Sequence, residues 1–173
     1  MFFSKRYEQA SVAFLRAGRD REATICDAYL LRETARSTST TASAARIRAF
    51  VTAAKAFIAC AQDSPSKQAT ERLAYYGTAG DCYSEAHDLK NAGDSFRMAE
   101  QYDAAARAYR DGGYLDKMAE VITRHENSFR DSDLLERLKK LAQMYYFKVS
   151  FSRWPVLKYL TLLDLAYGHQ VST

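Results

Sequence analysis

Three histidines, three cysteines and a recurring aspartate are the side chains of this 173-residue chain suited to metal binding, nucleophilic attack or proton transfer. His87, His125 and His169 lie far apart, and none has a cysteine or carboxylate at zinc-ligand spacing. His125 follows Arg124 near an expected helix C-terminus, where a cation suits the helix dipole. Cys26, Cys60 and Cys82 contain no CxxC pair and sit among Ala, Tyr and Phe, so they read as small buried hydrophobes rather than as a metal site or disulfide framework. Asp81 and Asp94 recur thirteen residues apart. Acid–base work needs carboxylates converging in a cleft, and this spacing points instead to a solvated position or a local hydrogen bond at each repeat. Gly77, Gly80 and Gly93 fall inside helical patterns rather than after a strand, so they serve close helix approach and not a phosphate cradle. No GxxxxGK[ST] segment occurs, and the chain is expected neither to bind nor to hydrolyse ATP. No catalytic, cofactor-binding or metal-ligating residue is therefore assigned, and no cofactor is expected.

The elements that would position any site are helical. Alanine is abundant, only Pro65 and Pro155 interrupt the chain, and 13% of residues are aromatic, a mix that favours a packed helical fold. Helices are expected at about 4–17, 20–35, 43–62, 67–86, 89–99, 102–111, 114–126 and 131–149. The polar run 37–43 reads as a loop, with Ser43 able to cap the next helix, and Asp131 and Asp133 place negative charge where the eighth helix begins.

Three blocks of thirteen residues align, beginning at Ala79, Ala92 and Ala105. Tyr83, Phe96 and Tyr109 hold the same place in each, and Ala86, Ala99 and Gly112 follow three positions later. Ala10, Phe14 and Ala17 repeat the pattern near the start. Positions three and four apart share a helix face, so each block presents an aromatic knob flanked by small residues that admit a neighbouring helix. Thirteen residues fit one helix of about three turns plus a tight connection, which Glu100-Gln101 and Gly112-Gly113 would supply. Self-similarity of this kind marks a solenoid, and most of the tyrosines are expected in its core.

Tyr76, Ala79, Gly80, Tyr83, Ala92, Phe96 and Ala99 resemble a tetratricopeptide repeat (TPR) with Tyr76 in place of its usual tryptophan. Leu89, Ala92, Gly93, Phe96, Ala105 and Tyr109 fit the same template one helix later, and the family's proline after the second helix is missing in both registers. The runs Tyr7–Ala10, Ala28–Glu33, Ala49–Ala54 and Gln143–Lys148 are similar to the helical region of large fungal proteins resembling the TPR-and-ankyrin-repeat-containing family. The resemblance implies a UvrD-like superfamily 1 helicase domain upstream and an accessory, scaffolding role for this region. The expected fold is thus all-α, with antiparallel helical-hairpin repeats in a TPR-like solenoid over 1–149 and an exposed loop at 36–43. A divergent tail follows over 150–173, where Val156, Leu157, Leu160, Leu163 and Tyr167 fall at helical spacing.

Net charge is +4, distributed unevenly. Residues 1–60 hold ten Lys or Arg against five Asp or Glu, and residues 61–126 hold eight against twelve. That polarity falls short of a nucleic-acid stripe. The expected function is a non-enzymatic protein-interaction scaffold for a protein or peptide partner. Nucleic-acid contact through Arg32, Arg36, Arg46, Arg48 and Lys55 is the second reading. No membrane and no small-molecule substrate are expected. Unpaired thiols and the lack of a secretory leader or a long apolar run place the chain inside the cell, in cytoplasm or nucleus.

Overall fold

The computed structural model describes residues 2–38, 43–65 and 68–147, with side chains from residue 5 onward. The tail segment 150–173 lies outside the described residues. Within them the chain is all helical, with no β-strand. The helices are α1 (Phe2–Arg16), α2 (Asp20–Ser37), α3 (Ser43–Gln62), α4 (Ala69–Glu85), α5 (Leu89–Met98), α6 (Tyr102–Asp111) and α7 (Leu115–His125). A short 3-10 turn, Glu126–Ser128, leads to α8 over 132–147. Asp131 caps α8 by accepting the Leu134 amide at 2.9 Å, and Asp88 caps α5 by accepting from Asn91. Ser43 is the first residue of α3, and α2 runs two residues past its expected end, to Ser37.

One turn is used four times. The amide five residues after each aromatic donates back to that aromatic's carbonyl: Arg19 to Phe14, Asp88 to Tyr83, Gln101 to Phe96 and Tyr114 to Tyr109, all at 2.8–2.9 Å. This is the six-to-one bond of a Schellman cap, which requires a left-handed residue just before the donor. Gly18 (φ 68°), His87 (57°), Glu100 (58°) and Gly113 (76°) hold that place. The donor residue then opens the next helix, its carbonyl accepting from Ala23, Ala92, Ala105 or Met118. The small residue three positions after the aromatic is the C-cap itself, so the sequence motif is the signature of a turn as well as of a core.

Two of these left-handed positions carry residues with a Cβ, which pays a steric penalty there that glycine escapes. Glu100→Gly and His87→Gly should each raise stability by about 0.5–1 kcal/mol, read as an upward shift of the urea midpoint at constant m.

The core follows the same register. Extensive contacts run between consecutive helices, from α1 on α2 through α6 on α7. Ala79, Ala92, Ala105 and Met118 are buried at one repeat position, and Tyr83, Phe96, Tyr109 and Ile122 at another. A fourth unit thus continues through α7, with Met118 for alanine and Ile122 for the aromatic. The ring of Phe96 lies over Gly80 and that of Tyr109 over Gly93, each so close that a Cβ built on the glycine would stand 2.6 and 2.5 Å from ring carbon. In the first half of the chain, rings tie four helices together. Tyr7 stacks on Tyr29 at 5.3 Å, Tyr29 meets Phe57 edge-on at 5.0 Å, and Phe57 lies 6.5 Å from Tyr75.

Candidate functional site

The thirteen-residue register sets corresponding residues of α4 and α5 on the walls of two clefts. In one, α4 contributes Asp81, Cys82, Ser84 and Glu85, facing Arg32 and Arg36 of α2 with Phe50 of α3 beneath. In the other, α5 contributes the residues thirteen further on, Asp94, Ser95, Arg97 and Met98, facing Ile58 and Gln62 of α3 with Tyr76 and Tyr83 of α4 beneath. Each encloses about 220 Å³, the room of one large side chain, and both open to solvent.

Their chemistry differs because the neighbouring repeats differ. Asp94 accepts from the Tyr109 hydroxyl at 2.6 Å and from the Lys117 ammonium at 2.7 Å, so α5, α6 and α7 meet at one carboxylate. Burial raises the Asp94 carboxyl, but the bonds from Lys117 and Tyr109 outweigh it and hold it below the usual carboxylate range. Burial and the bond to Asp94 push the Tyr109 phenol well above its ordinary value. The residues thirteen before Tyr109 and Lys117 are Phe96 and Ala104, which have nothing to donate. Asp81 accordingly lacks this clamp. Asp81 lines the cleft wall, and desolvation raises its carboxyl against the opposing pull of Arg32 and Arg36.

A depressed folded-state pKa contributes stability above the unfolded value and loses it as pH falls through the folded one. Asp94→Asn should therefore lower stability at pH 7 by about 1 kcal/mol, a modest figure because the pair is a third exposed. The gap between wild type and variant should narrow in urea melts below the ordinary carboxylate range.

The other singled-out residues are placed by packing. Cys60 and Cys82 are buried and Cys26 is partly so, all three with unpaired thiols. Burial raises each of them, Cys82 to about 11. In the native protein Cys26 should react first with a thiol reagent, while Cys60 and Cys82 should react only as the chain unfolds, a sequence that mass spectrometry of the adducts resolves. His125 stacks on Tyr102 at 3.9 Å, His87 occupies a left-handed turn, and His169 lies outside the described residues. No group of three His, Cys, Asp or Glu side chains among the described residues is placed to hold a metal ion. Tyr75, Tyr76, Tyr83 and Tyr109 are buried, Tyr102 is partly so, and Tyr114 is exposed.

No protein-family model matches this chain, and no curated protein or solved structure shows significant similarity to it.

Much of the basic stretch is consumed internally. Arg36 pairs with Glu33 at 3.0 Å and Arg46 with Glu85 at 3.4 Å. Arg32 lies 3.5 Å from Glu33 and covers the rings of Tyr29 and Phe57 at 5.0 and 5.8 Å. Arg48 and Lys55 are exposed and form no ion pair among the described residues. No described helix is long and apolar enough to cross a membrane.

Proposed function

We propose that this chain is a non-enzymatic protein-interaction scaffold, a TPR-like stack of helical repeats whose open clefts hold a segment of a partner protein. One observation carries the reading. A single thirteen-residue unit, with one turn and one packing register, recurs from α4 into α7 and leaves clefts of side-chain size open between helices. Repeats that build extended surfaces in this way serve contact, since each added unit lengthens a face rather than enclosing a chamber. The resemblance to the helical region of fungal UvrD-like helicase proteins gives such a scaffold its setting, as an accessory region beside a helicase domain.

Selection of a displayed library of random twelve-residue peptides on the immobilised protein tests the reading. Peptides binding with micromolar affinity, and losing it when cleft residues such as Met98 are changed to serine, are the expected result. Failure to enrich any peptide, together with salt-dependent binding of a single-stranded oligonucleotide that is lost on changing Arg48 and Lys55, would favour nucleic-acid contact instead.

A further inference from the structure

The two repeat-related clefts differ in how their charge is balanced, and that difference identifies what one of them takes. Around the α2–α4 cleft, Arg32, Arg36 and Arg46 are matched by Glu33, Asp81 and Glu85, with direct pairs from Arg36 to Glu33 and from Arg46 to Glu85. Arg32 and Arg36 are held by Glu33 on their own helix, and Arg46 of α3 is held by Glu85 of α4. In the α3–α5 cleft, one repeat later, Ser84 is replaced by Arg97 and Glu85 by Met98. The one carboxylate lining that cleft, Asp94, is engaged by Lys117 and the Tyr109 hydroxyl. Arg97 stands near the same hydroxyl and within electrostatic range of Asp94, yet forms no direct ion pair among the described residues. Two cations thus share one carboxylate, and the excess positive charge belongs to the exposed guanidinium.

Beside it the surface is apolar. Met98 is 48% exposed, and Ile58 is partly exposed across the cleft above the buried rings of Tyr76 and Tyr83. A volume of about 220 Å³ admits one leucine- or phenylalanine-sized side chain. Methionine conforms to varied apolar shapes, and arginine offers a planar fork to a carboxylate.

We propose that the α3–α5 cleft binds a partner peptide that seats one bulky apolar side chain against Met98 and Ile58 and presents an adjacent aspartate or glutamate to Arg97. This proposal rests on the scaffold reading above and names the chemical class of its partner. The acidic residue supplies the missing counter-charge, and the apolar side chain removes Met98 from water.

Selecting the twelve-residue library in parallel on wild-type protein and on Arg97→Glu tests it. Arg97 is exposed, so the variant should keep its helical circular dichroism and melting temperature, which are checked first. Peptides enriched on the wild type should carry Asp or Glu next to a bulky apolar residue. Their affinity should fall about tenfold or more on Arg97→Glu and should also weaken with added salt. Peptides enriched on Arg97→Glu should exchange the acid for Lys or Arg. Binders with no acidic preference, or with affinity indifferent to Arg97→Glu, would overturn this inference and leave the scaffold reading standing. A library yielding no binder on either protein would overturn both.

Discussion

Replacing Phe96 by alanine is expected to destabilise the protein by about 3–5 kcal/mol, the loss that follows truncation of a buried aromatic. Phe96 is 7% exposed, and its ring fills the gap that Gly80 leaves between α4 and α5. It also occupies the third position from the end of α5, where its carbonyl accepts the Gln101 amide that closes the turn. The backbone bond survives the substitution, so the loss reports the ring's packing, and neighbouring units should not collapse to fill the space because Gly80 has no side chain to offer. Urea denaturation followed by circular dichroism measures it. A loss under about 1 kcal/mol would place the ring outside the load of the core and remove the physical meaning of the repeat.

Gly80→Ala and Gly93→Ala should each destabilise by about 1–3 kcal/mol, although glycine to alanine inside an exposed helix ordinarily stabilises by about 1 kcal/mol. The reversal comes from the rings. A Cβ at Gly93 would stand 2.5 Å from a ring carbon of Tyr109, and one at Gly80 would stand 2.6 Å from Phe96. Both rings are buried in a close-packed core, so the helices must move apart. Gly77 gives the contrast within the same helix. Its added Cβ would meet only the amide end of the exposed Gln101 side chain at 2.7 Å, and that chain swings away. Gly77→Ala should therefore be neutral or stabilising. Parallel melts of the three variants separate close approach from simple helix propensity, because propensity alone predicts one sign for all three.

The repeat was legible because one register governs both core and turn. Tyr83, Phe96 and Tyr109 with the small residues after them marked the helices and their ends, and the expected α-helical boundaries that lie among the described residues fall within about three residues of the observed ones. Three features were hidden. The fourth unit escaped notice because Met118 and Ile122 keep its burial while abandoning its residue types. The connection at Glu100-Gln101 was expected, but the left-handed turn at His87 carries no glycine, and only its spacing from Glu100 and Gly113 could have announced it. Asp81 and Asp94 look alike in sequence and part in space, because what distinguishes them is whether the next repeats supply Tyr109 and Lys117 or Phe96 and Ala104. The candidate cleft was less legible still. Ile58, Gln62, Arg97 and Met98 belong to no motif, and they converge only when α3 and α5 lie on either side of α4. Comparing Arg97 and Met98 with Ser84 and Glu85 in the thirteen-residue register is the signal that would have found them. Conversely, the basic run in α2 and α3 drew attention as a surface feature, whereas Arg32, Arg36 and Arg46 are tied into pairs and rings.

Chemical-shift mapping of a library-selected peptide on isotope-labelled protein tests the scaffold reading most directly. The account predicts that saturable shifts concentrate at Ile58, Gln62, Asn91, Arg97 and Met98, around the α3–α5 cleft, and leave α1 and α8 unmoved. Shifts confined to other surfaces would overturn the assignment to this cleft, and no shift with any selected peptide, while a single-stranded oligonucleotide moves Arg48 and Lys55, would contradict the scaffold reading itself.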